Sequence, residues 1–200
     1  MKRKSPGPPP EGFLYQTEIL STEEERDLIE IFCTLPLKEY DFLGFKARRR
    51  VVYYGWRYDS SDHQLKPTEE IPTYLLDLRK RAASFATLSP DDLALAQIIE
   101  YRPSAAIGWH RDREVFGDII GISLLSSCNF RFRRQFDSGW ERYLHIAEPR
   151  SIYLLRGPSR LEWQHSIPAV DALRYSIIFR SLRPGPAKNT TKNRLYEDPS

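Results

Sequence analysis

The sequence predicts a mainly β fold with flanking helices, a sandwich of the jelly-roll type, and three observations lead to this prediction. Helix signals occur only before Pro90. After Pro90, short segments rich in β-branched and aromatic residues recur at close spacing, with turn signals such as Asp137-Ser138-Gly139 between them. The chain of 200 residues is also long enough for one domain with a substantial core. We therefore expect two helices that buttress a set of short antiparallel strands.

The two predicted helices have recognisable starts and stops. Ser21-Thr22-Glu23-Glu24 has capping-box spacing, which predicts a helix that begins there and ends before Pro36. Pro72 can occupy the first turn of a second helix that ends near Phe85.

The predicted strands begin with a short lead-in within residues 11–20. The β-branched and aromatic run 47–58 predicts a strand or hairpin arm that is broken at Gly55, and the polar residues 59–68 predict a loop. The later strands are predicted at residues 94–101, 119–125, 129–134, 142–146, 151–155, 162–166 and 173–181.

The domain organisation follows from composition. Residues 1–10 are basic and then proline-rich, so we expect a disordered tail. Residues 11–183 form the single predicted domain, and the polar residues 184–200 predict a flexible C-terminal tail. The chain has no apolar run near the roughly 20 residues needed to cross a bilayer, and no apolar secretory region follows Met1.

The two cysteines indicate the redox state of the cellular compartment in which the protein works. Cys33 and Cys128 both lie in apolar contexts, which favours thiols over a disulfide and therefore a reducing compartment. We expect a cytoplasmic monomer that does not bind membranes.

A possible metal site begins with His110 and Asp112. Residues two apart on an extended strand point to one face, so both side chains can reach one ion. His165 on a neighbouring strand would complete two imidazoles and a carboxylate, a facial set that suits Fe(II). The alternatives are a solvated polar loop for 110–114, a hydrogen-bonded core role for His165, and competition from His63 or His145 as ligands.

An arginine pair near the C-terminal end predicts an anion site. Arg174, Ser176 and Arg180 share one face of a predicted strand. Two buried arginines are costly without anions, and a dicarboxylate would satisfy both through bidentate hydrogen bonds. The alternative is that one or both arginines lie on the outer face.

Taken together, these residues resemble a known family. The pattern Tyr101…His110-x-Asp112…His165…Arg174-Tyr-Ser-Ile-Ile-Phe-Arg180 is similar to the AlkB family of Fe(II)/2-oxoglutarate-dependent dioxygenases. The segments RRRVVYYGWRYD, GISLLS and SIYLLRGPSRLEWQHSI also look like family segments, so the resemblance covers residues 12–183. It implies a double-stranded β-helix core with N-terminal helices and a lid-like β segment.

The resemblance implies a role for each matching residue. It implies His110, Asp112 and His165 as ligands of Fe(II), and it implies 2-oxoglutarate and O2 as cosubstrates. Arg174, helped by Tyr101, would pair with the C5 carboxylate of 2-oxoglutarate, and Arg180 would lie near the C1 carboxylate. Two positions depart from the family pattern, since Ile99 and Ser176 both stand where members carry Asn. Ser176 can still donate one hydrogen bond to the cosubstrate, whereas Ile99 cannot.

The implied reaction is oxidative demethylation of alkylated bases in DNA or RNA, which yields succinate, CO2 and formaldehyde. The aromatic residues Tyr54, Trp56 and Tyr58 occupy the lid-like segment and would stack on a flipped base, whereas Glu114 would favour a cationic methylated base. Ordinary strand packing is the alternative for the aromatic residues.

The basic clusters indicate a nucleic-acid partner, although each is also consistent with a solvated face. The sequence pattern R-R-V…G-W-x-Y resembles the corresponding segment of AlkB homologues that act on transfer RNA. No residue distinguishes a DNA substrate from an RNA substrate, or repair from regulated modification. A family oxygenase acting on protein or lipid, and a catalytically silent nucleic-acid-binding jelly roll, stay open as rivals. The residues predicted to contact the phosphate backbone are Arg48, Arg49, Arg50, Arg131, Arg133 and Arg134.

Overall fold

The computed structural model describes residues 7–42, 45–137 and 139–183, with side chains undescribed for residues 40–47. The predicted C-terminal tail and most of the predicted N-terminal tail lie outside these ranges. Residues 7–10 are described and belong to no helix or strand. No helix in the described ranges has the length and apolar character that crossing a bilayer requires.

Two antiparallel sheets face each other and form the jelly-roll core, which confirms the predicted fold class. In spatial order, the major sheet consists of β1 (Phe13–Gln16), β11 (Ser151–Leu155), β8 (Phe116–Leu124), β13 (Arg174–Leu182), β6 (Leu93–Tyr101), β3 (Phe45–Tyr54) and β2 (Lys38–Phe42). The minor sheet consists of β10 (Gly139–Ala147), β9 (Cys128–Phe136), β12 (Gln164–Ile167) and β7 (Ile107–His110).

The predicted helices cover one face of the major sheet. Helix α1 (Thr22–Thr34) begins with the predicted capping box, in which the Glu24 amide donates to Ser21 Oγ at 3.1 Å and the Ser21 amide donates to Glu24 Oε2 at 2.8 Å. Helix α2 (Thr73–Phe85) follows Pro72, which is its N-cap. A 3-10 turn (Pro90–Asp92) and the short helix α3 (Pro158–Leu161) complete the helical elements and were not predicted.

The major sheet separates two hydrophobic cores because successive side chains of a strand point to opposite faces. The helix-side core packs Phe32 and Leu75 of the helices against Ile98 and Ile177 of the sheet. The inter-sheet core packs side chains of the major sheet against those of the minor sheet, and its members include Leu95, Ile99, Ile119, Phe130, Phe132 and Ile178.

The segment predicted as a loop at residues 59–68 is instead part of a hairpin of β4 (Trp56–Asp59) and β5 (Gln64–Pro67). The predicted break at Gly55 is present, and this residue has a φ of +75°. A Cβ at Gly55 would lie 2.2 Å from the Ala94 carbonyl oxygen, so glycine permits the close approach that separates β3 from the hairpin. Strand β7 was not assigned from its own composition, although the metal-site prediction placed His110 and Asp112 on an extended strand; the strand ends at His110.

Candidate metal centre and anion pocket

Three potential metal ligands converge at one edge of the minor sheet. His110 ends strand β7 and faces His165 of β12 directly across the strand pair, with ring centroids 4.3 Å apart. Asp112 follows in the connection after β7, rather than on the strand as predicted, and its Oδ2 lies 3.5 Å from His165 Nε2. One ligand atom from each of the three residues lies within 4.8 Å of the other two. The structure therefore brings together the predicted set.

Hydrogen bonds orient these side chains. His110 Nδ1 lies 2.9 Å from the Gly108 carbonyl oxygen, so Nδ1 donates and the lone pair is at Nε2. Asp112 Oδ1 accepts a hydrogen bond from Arg180 Nε at 2.9 Å and forms an ion pair with Arg180 Nη2 at 2.8 Å. The remaining oxygen, Oδ2, points toward the histidines and is available for a metal ion.

Electrostatics give the protonation states that metal binding requires. Burial, followed by the proximity of His110, lowers the pKa of His165 to about 3, so its imidazole is neutral at physiological pH. Burial acts to raise the pKa of Asp112, but Arg180 and the two histidines outweigh it and hold this pKa well below its ordinary value. Two imidazole nitrogens and one carboxylate oxygen fit Fe(II) and leave coordination positions open for other ligands.

A buried arginine lies behind the three ligands. Arg174 is fully buried in the inter-sheet core, where its guanidinium stacks over the Tyr101 ring at 4.9 Å. Its Nε and Nη2 contact Ser123 Oγ at 3.2 and 3.1 Å, whereas Nη1 has no hydrogen-bond partner in the described part of the chain. A buried cation with an unpaired donor is costly unless an anion binds there, so this pocket fits a carboxylate ligand.

The other predicted cosubstrate residues line the same face. Ser176 and Arg180 follow Arg174 in strand alternation, and Ile99 faces the inter-sheet core opposite Ser176. The Arg180 guanidinium is held by Asp112 and by Gln97, whose Oε1 accepts from Nη1 at 2.8 Å. Arg180 therefore positions the Asp112 carboxylate, while its predicted contact with the C1 carboxylate stays a prediction.

Sequence reasoning missed Arg160, which holds the connection that carries Asp112. Its side chain is 4% exposed and donates to three carbonyl oxygens, those of Arg113 at 2.6 Å, Phe116 at 3.1 Å and Gly117 at 3.2 Å. No local signal marks this role, because the acceptors are backbone groups from a distant part of the sequence.

The β4–β5 hairpin brings one predicted aromatic residue next to the site. The Tyr58 ring lies 6.5 Å from the ring of Phe116, and the Arg180 guanidinium stacks over the same Phe116 at 5.2 Å. Trp56 is on the same hairpin with 37% of its surface exposed, and Glu114 is exposed two residues after Asp112.

Tyr54 requires a correction, because the structure does not bring it to the site. It is 5% exposed in the helix-side core, where its hydroxyl accepts a hydrogen bond from Tyr74 at 3.1 Å. The prediction assumed unbroken alternation from Tyr54 to Tyr58, and the positive φ at Gly55 interrupts that alternation. The rival ligands are also placed elsewhere: His63 contacts Tyr58, and His145 packs against Tyr15.

Two of the predicted phosphate contacts also require correction. Arg50 forms a bidentate ion pair with buried Glu100, with distances of 2.8 and 2.6 Å. Arg134 pairs with both Glu141 and Glu162. These guanidinium groups already have carboxylate partners and are therefore poor phosphate contacts.

The remaining four arginines stay candidates for phosphate binding. Arg48 is exposed, and Arg49 donates to the Ala106 carbonyl oxygen at 3.2 Å. Arg131 and Arg133 lie on the outer face of the minor sheet, where both stack on Trp109 at 5.0 and 4.5 Å. Trp109 therefore points away from the metal ligands, although it is adjacent to His110.

Comparison with known proteins agrees with this geometry. Residues 34–194 match the family model described as the 2OG-Fe(II) oxygenase superfamily. The chain is 29% identical over 166 residues to the Arabidopsis thaliana "Alkylated DNA repair protein ALKBH8 homolog", a match that covers 68% of this chain and 47% of that protein. It is 31% identical over 129 residues to the mouse "Alpha-ketoglutarate-dependent dioxygenase alkB homolog 7, mitochondrial", covering 60% of this chain and 55% of that protein.

One further relative and one solved structure also match the chain. The chain is 27% identical over 167 residues to the mouse "tRNA (carboxymethyluridine(34)-5-O)-methyltransferase ALKBH8", covering 79% of this chain and 24% of that protein. The chain thus spans half or less of the length of the two ALKBH8 relatives. The solved structure of OsALKBH1 superposes with a TM-score of 0.68 at 14% identity, covering 90% of this chain and 99% of that structure, which shows the shared fold.

Proposed function

Because the chain belongs to the 2OG-Fe(II) oxygenase superfamily and is an AlkB-like member of it, we propose that it oxidatively demethylates alkylated bases in nucleic acid. As a member of this superfamily it is a dioxygenase that uses Fe(II), 2-oxoglutarate and O2. The observation that carries the oxygenase part of the proposal is the fully buried Arg174, whose Nη1 has no partner among the described residues, on the sheet face that leads to His110, Asp112 and His165.

The proposed roles of the site residues follow from their geometry. His110, Asp112 and His165 hold Fe(II), and Arg180 keeps the Asp112 carboxylate ionised and oriented. Arg174 binds the C5 carboxylate of 2-oxoglutarate beside Tyr101 and Ser176, while Ile99 makes this pocket less polar than in members with Asn. Fe(II) held by these residues would supply the oxidising chemistry, in which 2-oxoglutarate and O2 give succinate and CO2 and the substrate is hydroxylated.

The chain's own contribution to demethylation is to place an N-methyl carbon at the open side of the metal. Hydroxylation of that carbon gives a hemiaminal, whose C–N bond breaks to release formaldehyde and the unmodified base. Trp56 and Tyr58 of the hairpin stack on the base, and the carboxylate of Glu114 favours a base that carries a positive charge.

Nucleic acid is favoured over other substrates by positively charged groups on the surface of the domain. Arg48, Arg131 and Arg133 supply guanidinium groups with no carboxylate partner in the described ranges. The names of two relatives refer to DNA repair and to transfer RNA, respectively. The proposal covers single-stranded DNA and RNA, including transfer RNA, in either repair or regulated modification.

Two rivals are weighed against this proposal. A family oxygenase that acts on protein or lipid would use the same metal and carboxylate residues, so only the substrate panel separates it from a nucleic-acid demethylase. A catalytically silent nucleic-acid-binding jelly roll has no need of an unpaired buried arginine beside a metal ligand set, which argues against it.

The test is a substrate panel of methylated single-stranded DNA, duplex DNA and transfer RNA, incubated with Fe(II) and 2-oxoglutarate. Formaldehyde and succinate are measured together, with Asp112→Ala as the inactive control. We expect both products in equal amounts on at least one nucleic acid. Succinate without formaldehyde on all three substrates would move the assignment to a protein or lipid target.

We also propose that the protein is a cytoplasmic monomer. Cys33 and Cys128 are both free thiols, consistent with a reducing compartment. Light scattering of the purified chain would test the monomer, and imaging of a tagged chain would test the compartment.

A further inference from the structure

We propose that the outer face of the minor sheet is a second contact surface for single-stranded nucleic acid, which rests on the proposed function and extends it. This outer surface, called the arginine–tryptophan face below, lies on the opposite side of the sheet from the metal ligands. It consists of Trp109 of β7, Arg131 and Arg133 of β9, and Trp140 and Arg142 of β10.

The side chains of the arginine–tryptophan face form one continuous row. Arg131 and Arg133 both stack on the Trp109 ring, and Arg133 also stacks on the Trp140 ring at 4.4 Å. Strand pairing places Arg142 directly beside Arg133. Three positive charges and two indole rings therefore share one side of the sheet across its full width.

Neutral groups, rather than carboxylates, accept the hydrogen bonds of Arg131 and Arg133 on this face. Arg131 Nε donates to Ser166 Oγ at 3.1 Å and Arg133 Nε donates to Gln164 Oε1 at 2.7 Å, and both acceptors are neutral. In the described portion of the chain, none of Arg131, Arg133 and Arg142 pairs with a carboxylate. Arg134, the next arginine of β9, has two such partners, so the difference is local to this face.

The outward residues of the four strands contain no acid that would repel a phosphate. The remaining outward positions in the register of β9, β10 and β12 are Asn129, Gln135, Leu144, Ile146, Gln164 and Ser166.

Cations arranged beside flat rings fit single-stranded nucleic acid. Guanidinium groups bind the phosphates, and bases stack on indole rings and on guanidinium planes. Trp140 is 45% exposed, so part of its side chain is accessible to a base beside the Arg133 contact. A protein or membrane partner would use mainly the exposed Leu144 and Ile146, which lie at one end of β10 away from Trp140.

The face is also close to the metal ligands. Trp109 and His110 are adjacent on β7, which is the edge strand of the minor sheet, and they point to opposite sides. A single strand of nucleic acid that leaves the metal site can therefore pass over the β7 edge onto the arginine–tryptophan face. From β7 to β10 the nucleic acid would cross three inter-strand spacings of the minor sheet, roughly 14 Å at about 4.8 Å each.

The test measures binding without catalysis. A fluorescent, unmethylated single-stranded oligonucleotide of about 20 nucleotides, enough to cover this face and the site mouth, is titrated with the chain in EDTA at several salt concentrations. The test variant is Arg131→Gln/Arg133→Gln. The matched control is Arg26→Gln/Lys80→Gln, which removes two exposed charges from the helices.

We expect the test variant to bind more weakly and to show a salt dependence reduced by about 1.4 in slope, because about 0.7 is lost for each phosphate contact on a single strand. The control should bind like wild type. Trp140→Ala should weaken binding roughly 5- to 100-fold, and Trp140→Phe should restore most of it. Unchanged melting temperatures show that each variant is folded.

The possible failures are distinguishable. Binding by wild type with no difference between test and control variants would contradict the arginine–tryptophan face and leave the proposed function standing. No binding by wild type would contradict both. Tighter binding to vesicles of anionic phospholipid than to the oligonucleotide, lost in the same test variant, would assign the face to a membrane and overturn the proposal.

Discussion

The two faces of the major sheet differ in whether a buried charged side chain has a partner of opposite charge. On the helix side, Glu100 of β6 is 3% exposed and accepts hydrogen bonds from Arg50, Arg102 and the Tyr175 hydroxyl. On the inter-sheet side, Arg174 of β13 is equally buried but lacks a carboxylate partner in the described ranges. The adjacent residues Arg174 and Tyr175 thus belong to two different networks.

This difference separates the residues that hold the fold from those that bind ligands. A buried charge is tolerated when hydrogen bonds and an opposite charge replace its lost hydration. Glu100 receives all of these from the chain itself, so its network is complete without a ligand. Arg174 receives them only in part, and the missing partner is the carboxylate that we assign to 2-oxoglutarate.

The largest predicted effect is on the inter-sheet side, at Asp112. Asp112→Ala should lower iron affinity more than about 100-fold, since changes outside the direct ligands already cost about 10- to 100-fold, and formaldehyde release should fall to background. Metal titration of the metal-free chain measures the affinity. Asp112→Asn, which can still accept from Arg180, should lose most of the affinity as well; retained iron binding in both variants would contradict the ligand assignment.

The next effect is on the helix side, at Glu100. Glu100→Ala leaves Arg50 and Tyr175 without their acceptor and should lower the free energy of unfolding by about 3 kcal/mol, as measured by urea denaturation. Iron and 2-oxoglutarate affinities of the folded variant should not change. A loss of cosubstrate affinity would show that the two faces are not independent.

The same residue gives a dependence of stability on pH. Burial acts to raise the pKa of Glu100, but hydrogen bonds from Arg50 and Tyr175 outweigh it and hold the pKa below its ordinary value of 4.5. A carboxyl group with a lowered pKa stabilises the fold above 4.5, and this contribution is lost as pH falls through the folded-state pKa. Wild type should therefore lose more unfolding free energy below pH 4.5 than Glu100→Gln does.

A smaller effect is expected at Arg174. Arg174→Lys keeps the charge but loses the planar set of donors, so the KM for 2-oxoglutarate should rise about 30-fold, equivalent to about 2 kcal/mol. Succinate production at varied 2-oxoglutarate measures this. An unchanged KM would assign the carboxylate to another group.

The smallest effect concerns Arg160, which acts through the connection that carries Asp112. Arg160→Met removes three hydrogen bonds to carbonyl oxygens and should lower iron affinity about 10-fold, with little change in the KM for 2-oxoglutarate. Metal titration and succinate kinetics on one preparation separate the two quantities. A raised KM with normal iron affinity would contradict a role through Asp112.

The parts of the site that could be predicted depend on local periodicity. Alternation along one strand placed Arg174, Ser176 and Arg180 on one face, and the capping-box spacing located the start of α1. The parts that could not be predicted depend on distant partners. Nothing near Arg50 or Arg134 in the sequence reveals that each meets a carboxylate from another strand or turn.

Backbone geometry explains why the predicted position of Tyr54 was wrong. Tyr54 lies in the helix-side core by the regular alternation of β3, and the positive φ at Gly55 breaks this alternation, so that Tyr58 lies beside Phe116 near the site. Alternation applied to this segment without that break assigned both tyrosines to one surface.

A crystal structure of the chain with Mn(II) and 2-oxoglutarate tests the contrast between the two faces most directly. We predict one carboxylate of 2-oxoglutarate at about 2.7 to 2.9 Å from Arg174 Nη1, with Mn(II) bound to His110, Asp112 and His165 and the Glu100 network unchanged. A ligand bound elsewhere, with Arg174 Nη1 still unpaired, would contradict the account.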